Sequence, residues 1–347
     1  MPRRRDIGLA AAAWPLGAGL LAGRGAQAQV ASPHAIDIPA WFTESFLDFK
    51  DEAAAAEKEG KRLLVYFGQD GCPYCRELMA NSFSQKAIVE KTRAGFVAIA
   101  LNLWGDREVT WVDGRRMSEK DFARMLKVQF TPTLLFMDGQ ARIVARLNGY
   151  HPPQRFAAAL DYVAQRMETR LSLGEHLARL PADAARASLN EQPFFLQPPF
   201  DLTRRSAGRP LAVLFETRSC QACDELHQQG LARAEVRALL PRFDIARFAL
   251  TDPTEVRTPD GRTLAAGAWA RALGVQYTPT WVFFDAPPGA PLREVFRVDG
   301  YVRPFHLAGS LDYVASGAYR SQTEFQRFLR AKSDALRAKG QDVDLWR

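Results

Sequence analysis

Six stretches of this chain occur twice, in the same order, at a spacing of 147 to 151 residues. Lys61–Phe67 (KRLLVYF) recurs as Arg209–Phe215 (RPLAVLF), and each leads into a Cys-x-x-Cys pair, Cys72 with Cys75 and Cys220 with Cys223. Asp113-Gly114-Arg115 returns as Asp260-Gly261-Arg262, and Val128–Thr133 (VQFTPT) returns as Val275–Thr280 (VQYTPT). Leu147–Tyr150 (LNGY) matches Val298–Tyr301 (VDGY), and Leu160–Ala164 (LDYVA) matches Leu311–Ala315. One match could arise by chance, but six in register mean two copies of one domain. Two copies are too few for a solenoid, so each must bury its own core. With 347 residues and 47% hydrophobic residues, the chain has the material for two such cores without disulfide staples.

The apolar patterning gives each copy the same elements. Leu63–Phe67 and Leu211–Phe215 are short unbroken apolar runs, as in a strand buried on both faces. Each cysteine pair opens a helix, with Pro73 in the favoured first turn. Strands are expected at Phe96–Leu101 and Phe243–Leu250, hairpin tips at Asp113-Gly114 and Asp260-Gly261, and short helices at Ser118–Lys127 and Leu264–Leu273. Strands at Leu134–Met137, Ile143–Leu147, Trp281–Phe284 and Glu294–Val298 follow, with closing helices at Arg155–Arg170 and Leu307–Val314. Trp41–Glu59 reads as an Ala-rich lead-in helix, Ser172 with Glu175 as a capping box, and Phe325–Leu336 as a terminal helix. The expected layout is a targeting segment at 1–28, a first domain at 36–171, a linker with a short helix at 172–199, a second domain at 200–317, and a helical tail at 318–347.

All four cysteines fall into the two tight pairs. Structural disulfides stabilise most when they close long loops, so this spacing points to redox chemistry or metal binding instead. The beginning of the chain suggests export. Arg3 to Arg5 precede an Ala/Gly-rich apolar stretch from Ile7 to Gly23, and Ala26-Gln27-Ala28 fits small-x-small cleavage. The order Arg4-Arg5-Asp6-Ile7-Gly8-Leu9 is similar to a bacterial twin-arginine signal, which makes the periplasm the expected compartment. Residues 1–28 hold +3 of the formal charge of +7, and no basic cluster is interleaved with aromatics, so no nucleic-acid partner is expected.

Strand, Cys-x-x-Cys at a helix start, Thr-Pro before another strand, then Gly and a last helix: this order resembles the thioredoxin superfamily. The resemblance covers most of residues 40–170 and 200–317. Phe67–Met79 (FGQDGCPYCRELM) is most similar to exported bacterial thioredoxins of the SoxW type and the C-terminal domain of DsbD. The implied fold is α/β, with two thioredoxin-like domains, each a central mixed sheet flanked by helices. The implied activity is that of a protein-disulfide reductase or thiol–disulfide oxidoreductase, with Cys72 and Cys220 as exposed attackers and Cys75 and Cys223 as resolvers. Thr131-Pro132 and Thr278-Pro279 are similar to the family's cis-proline loop, which offers backbone to substrate, and Gly149 fits the glycine beside it. The implied partners are client proteins carrying disulfides and a membrane electron donor of the DsbD type. Elementary electrostatics agrees, because a thiolate at a helix N-terminus is favoured by unpaired N–H groups and the helix dipole.

The sequence also departs from the family. The buried carboxylate six residues before the first cysteine is replaced by Tyr66 and Leu214, leaving Glu77, Glu216 and Glu225 as candidate proton acceptors. Arg218 stands where the first copy has Asp70, and Gly71 and Ser219 replace the usual aromatic. About 60 residues separate Cys72 from Pro132, and the excess around Trp104–Asp121 reads as an insertion. Zinc shared between the pairs would need both active faces to meet across 144 residues of sequence, so no metal and no cofactor is expected. Two alternatives to a pair of active sites stand beside the main reading. The second copy could be a non-catalytic docking module, or Cys220, Cys223 and His227 could carry a soft metal such as copper. His227 itself reads as a partly solvated helix residue, Tyr150 and Tyr301 as core-edge aromatics, and Trp104 and Trp111 as packing residues.

Overall fold

A computed structural model describes residues 36–341 and 343, except 178, 181–187, 204–207, 219 and 288–289. The expected export segment and cleavage site lie outside the described residues. Among the described residues, no helix is long and apolar enough to cross a membrane.

The first copy runs α1 (Phe49–Lys58), β1 (Arg62–Gly68), α2 (Pro73–Asn81), α3 (Lys86–Gly95), β2 (Phe96–Asn102), β3 (Glu108–Thr110), β4 (Arg116–Ser118), α4 (Glu119–Met125), β5 (Thr133–Met137), β6 (Ile143–Asn148) and α5 (Pro153–Ala164), with α6 (Leu173–Leu177) beyond it. The second runs β7 (Phe200–Asp201), β8 (Leu211–Glu216), α7 (Gln221–Glu225), α8 (Ala234–Arg237), β9 (Asp244–Ala249), β10 (Glu255–Arg257), β11 (Thr263–Ala265), α9 (Ala266–Ala272), β12 (Thr280–Asp285), β13 (Arg293–Asp299) and α10 (Pro304–Ala315), followed by α11 (Phe325–Ala338). The main sheets have the same order, β2-β1-β5-β6 and β9-β8-β12-β13. In both, the unbroken apolar strand is central. Val65 is paired with Ile99 in parallel and with Leu135 antiparallel; Val213 is paired with Ala246 and Val282 in the same way. Every residue of β1 and β8 is buried, which is why neither strand alternates polar with apolar.

The expected hairpins form as β3–β4 and β10–β11, with Gly114 and Gly261 supplying positive φ at their tips. The capping box also forms, with Ser172 Oγ accepting from the Glu175 N–H at 3.2 Å and the Ser172 N–H donating to Glu175 Oε2 at 2.8 Å. Two helices are shorter than expected. The lead-in helix starts only at Phe49, because Asp48 caps it and Leu47 turns at φ +61°. The first closing helix stops at Ala164, where Arg166 enters the left-handed region.

Each sheet has a core on both faces, and the two copies exchange aromatic side chains. Phe130 of the first copy is buried in the second copy's core, against Phe296 and Phe325. Tyr277, at the same position in the second copy, is buried in the first copy's core and contacts His151. The helix that follows each copy crosses in the same sense. Gln326 at the start of α11 donates to the Gln129 carbonyl at 2.9 Å, and Gly174 of α6 abuts the Gln276 carbonyl, where a Cβ would come within 2.8 Å. The tail helix α11 is therefore anchored in the fold, by buried Phe325 and Leu329.

Candidate functional site

The two cysteine pairs occupy equivalent places, each at the junction of the central strand and the next helix. Cys72 caps α2 and Cys220 caps α7. Both pairs are disulfide-bonded. The Cys75 N–H points at Cys72 Sγ from 3.1 Å, and the Cys223 N–H at Cys220 Sγ from 3.0 Å. Both N–H groups lie in the first turn of a helix, the Cys223 N–H being shared with the Cys220 carbonyl at 3.0 Å, and both favour a thiolate on the first sulfur after reduction.

Opposite each pair lies its proline loop. The Thr131–Pro132 and Thr278–Pro279 peptides are cis. Cys72 Sγ lies 3.3 Å from the Thr131 carbonyl oxygen. The Gly149 N–H holds the first loop by donating to the Pro132 carbonyl at 2.8 Å, and the Gly300 N–H does the same for Pro279 at 2.9 Å. Both glycines have positive φ, +76° and +85°, which suits them to this turn. Thus Cys72, Cys75, Thr131 and Pro132 converge in the first copy. In the second, the cysteines and Thr278-Pro279 keep the same frame, and Thr217 and Thr278 hydroxyls meet at 3.1 Å.

The first cysteines are not exposed as the resemblance implied. Cys72 is 3% and Cys220 4% accessible, with Cys75 and Cys223 more buried still. Cys72 opens onto a cleft of about 780 Å3 whose far wall belongs to the other copy, through Tyr301, Phe305, His306 and α11. Tyr74, inside the cysteine motif, reaches this wall. Its hydroxyl accepts the Arg303 N–H at 3.1 Å and lies 3.4 Å from His306 Nδ1. Burial pushes the His306 pKa down to about 4, so its ring is neutral near neutral pH. Trp104 packs against the first copy's core, as expected, and also lines the cleft; its indole N–H donates to Gln69 Oε1 at 2.6 Å, and Arg327 stacks over its ring. Tyr150 and Tyr301 also line the cleft, whereas Trp111 packs against Phe49 and Phe122 as expected. Sequence patterning named Tyr301 and the terminal helix but not their place in this wall, because nothing in it signals which helix crosses to which copy.

The second pair has a different floor. Glu216 and His227 are both buried, with Oε1 and Nε2 3.0 Å apart, and Gln192 Nε2 lies 3.1 Å from His227 Nδ1. His227 is therefore a packed, bonded residue rather than a partly solvated one. Of the other candidate acceptors, Glu225 accepts from Gln221 at 3.3 Å on an exposed face. Glu77 is partly buried, and that burial raises its pKa. Tyr66 and Leu214 fill the position of the missing carboxylate, and burial, with help from Asp70, holds the Tyr66 phenol well above its ordinary pKa. Among the described residues, no group of three or more His, Cys, Asp or Glu is arranged to hold a metal ion.

A thioredoxin-fold protein from Helicobacter pylori is 22% identical over 39% of this chain and 90% of its own, with a TM-score of 0.32. A thioredoxin from Thermus thermophilus is 26% identical over 33% of this chain and 83% of its own, with a TM-score of 0.28. The C-terminal domain of DsbD from Neisseria meningitidis, in its oxidised form, is 14% identical over 34% of this chain and 88% of its own, with a TM-score of 0.25. No curated protein matches the chain. The family model described as thioredoxin-like domain matches twice, over residues 49–164 and 203–315, and the chain belongs to that family in both of its copies.

Proposed function

We propose that the protein is a periplasmic thiol–disulfide oxidoreductase that reduces or exchanges disulfides in exported client proteins. The observation that carries this reading is the repeated frame: in each copy a Cys-x-x-Cys disulfide caps a helix and faces its own cis Thr-Pro loop. In the reducing direction, the Cys72 thiolate attacks a client disulfide, forming a mixed disulfide and releasing one client sulfur as thiolate. Cys75 then attacks Cys72 Sγ, the Cys72–client bond breaks, and the client leaves with both electrons. Cys220 and Cys223 play the same parts in the second copy, with Thr131, Pro132, Thr278 and Pro279 as substrate-facing backbone. A membrane donor of the DsbD type would restore the dithiols, since an oxidising compartment supplies no electrons for this.

Trapping tests the reading. A Cys75→Ser variant of the full chain should accumulate clients as mixed disulfides on Cys72, identifiable by mass spectrometry, and Cys72→Ser should accumulate none. Full-rate reduction of an insulin-type substrate by a Cys72→Ser, Cys220→Ser double variant would overturn it. A reduction potential at Cys72–Cys75 near that of the strong oxidants would overturn the reducing direction alone.

A further inference from the structure

The two copies carry different polar groups on the end of the central strand that leads into their cysteines, and the exchange follows one face of that strand. Side chains two apart on a strand share a face. In β1, Leu64 and Tyr66 lie on the face that packs with Cys72 and Cys75, and Gly68 comes next on it. In β8, Ala212 and Leu214 pack with Leu226 of the cysteine helix, and Glu216 comes next. A Cβ on Gly68 would lie 2.2 Å from the Tyr66 hydroxyl, so the phenol occupies the space that the side chain at this position would take. Leu214 leaves that space open, and Glu216 fills it.

Glu216 is 1% accessible, and its Oε2 has no hydrogen-bond partner. Its other oxygen is fixed. Gln192 donates to His227 Nδ1, which leaves the hydrogen on Nε2, and Nε2 donates to Glu216 Oε1. His227 follows Cys223 by four residues, and the turn that carries it, Leu226–Gly230, is π-helical, whereas α2 continues as an α-helix to Asn81. Such turns often mark functional positions. In the first copy the residue equivalent to His227 is Met79. The charged groups on neighbouring elements are committed elsewhere. Arg247 of β9 bonds the Asn190 carbonyl and Glu191, Asp224 bonds Asn190, and Glu225 bonds Gln221.

We propose that Glu216 is the proton acceptor for the Cys223 thiol, with His227 as its positioning residue, and that the first copy resolves its mixed disulfides without such a base. The proposal rests on the redox reading of the second pair. In the step, the Cys223 S–H bond breaks and its proton passes to Glu216 Oε2, directly or through one water. The freed electron pair forms the Cys223–Cys220 bond, the Cys220–client bond breaks, and the client sulfur leaves as thiolate. A buried unpartnered carboxylate oxygen suits this task. The Tyr66 phenol does not, because its burial disfavours the anion that could accept a proton. The two sites then differ in lifetime of the mixed disulfide, long at Cys72 and short at Cys220.

The test uses the full chain with Cys72→Ser and Cys75→Ser, leaving only the second pair. The reduced protein is mixed with a nitrobenzoate disulfide whose released thiolate is coloured. Attack by Cys220 gives a first phase and attack by Cys223 a second, and their ratio isolates the resolving step. Glu216→Gln should lower the second-to-first ratio about tenfold or more near neutral pH. It should also steepen the ratio's pH dependence, since only the thiol's own ionisation remains. His227→Gln, which can still donate to Glu216, should lose less than His227→Leu. An unchanged ratio and pH profile in Glu216→Gln overturns the proposal. If that variant does not fold, the unsubstituted pairs decide: the second phase should be faster at Cys223 than at Cys75, with a different pH profile, and matching profiles overturn the proposal. No first phase at all would overturn the redox reading of the second site, and this assignment with it.

Discussion

Asn148 Nδ2 donates a 2.8 Å hydrogen bond to Asp299 Oδ2, and the two residues are the same position in the two copies, 151 apart in sequence. Contact between equal positions is the mark of an isologous interface, in which each partner offers the same patch. Phe130 and Tyr277, buried in each other's cores, obey the same relation. The tandem chain is thus put together as two like subunits would be, and a single substitution at one of the two equal positions makes one side chain donor and the other acceptor. In each copy the residue just before the proline loop, Phe130 or Tyr277, is gripped by the opposite copy.

The Asn148–Asp299 bond gives a first prediction. Asn148→Leu removes a donor from a nearly buried carboxylate and should cost about 1–3 kcal/mol of stability. Asp299→Asn should do the opposite near neutral pH. Burial, the largest influence, holds the Asp299 carboxyl above its ordinary range despite Arg297 and Asn148. The folded protein therefore keeps this proton to higher pH than the unfolded chain does, and stability falls as pH rises from the unfolded to the folded value. Asp299→Asn should flatten that stretch in urea titrations. A steeper fall in the variant would contradict the assignment.

The exchanged aromatics give a second. Phe130→Ala should cost about 3–5 kcal/mol, the usual range for emptying a buried aromatic site. Its damage should appear in the other copy, as faster amide exchange in β13 and α11, whose Phe296 and Phe325 flank the ring. Faster exchange confined to residues of the first copy would count against the exchanged core.

The repeat and the apolar runs made the sheets, the cysteine helices and the proline loops readable from sequence, because those depend on local pattern and on order along the chain. The far wall of the Cys72 cleft was not readable. Phe305 and His306 look like any residues of an apolar helix, and the crossing of α11 depends on where Phe325 finds its cavity in three dimensions. Glu216 and His227 were each noticeable, but eleven residues of sequence do not reveal that a strand end and a π-helical turn bring them within 3.0 Å. The early start of the lead-in helix failed for a local reason: Ser45 and Asp48 offer turn and cap bonds that compete with helix, Ser45 Oγ accepting from the Leu47 N–H at 2.8 Å.

Acid should weaken the fold through His151. Its Nε2 bonds the Asn148 carbonyl at 3.1 Å, its ring faces Tyr277, and burial, followed by Arg155, pushes its pKa down to about 4. The unfolded chain takes up the proton first as pH falls. The contribution is complete above the ordinary histidine value of about 6.5, declines below it, and stops changing below about 4, with a span of about 3 kcal/mol at most. His306 adds a smaller share, because its side chain keeps more contact with solvent. His151→Gln, which can retain the bond to Asn148, should flatten this limb in thermal melts across the same window. An identical acid limb in the variant would assign the effect to other groups.

Tyr74 ties the redox site to the opposite copy, and Tyr74→Phe isolates that tie while keeping the ring. The phenol oxygen accepts the Arg303 N–H and lies against His306 Nδ1, so its loss leaves two nitrogen groups in a largely buried wall without that oxygen. The expected cost is about 1–3 kcal/mol, seen as a lower melting temperature. A second consequence follows from where the wall stands. Cys72 is 3% accessible and reacts only through the cleft that this wall closes. Loosening the wall should raise the population of open states and with it the rate at which reduced Cys72 is alkylated by iodoacetamide. The reaction at Cys220, whose motif carries Ala222 in place of the tyrosine, should change less. A stable variant with unchanged alkylation at Cys72 would mean that the cleft opens without breaking the Tyr74 contact, and would place the gate elsewhere along α11.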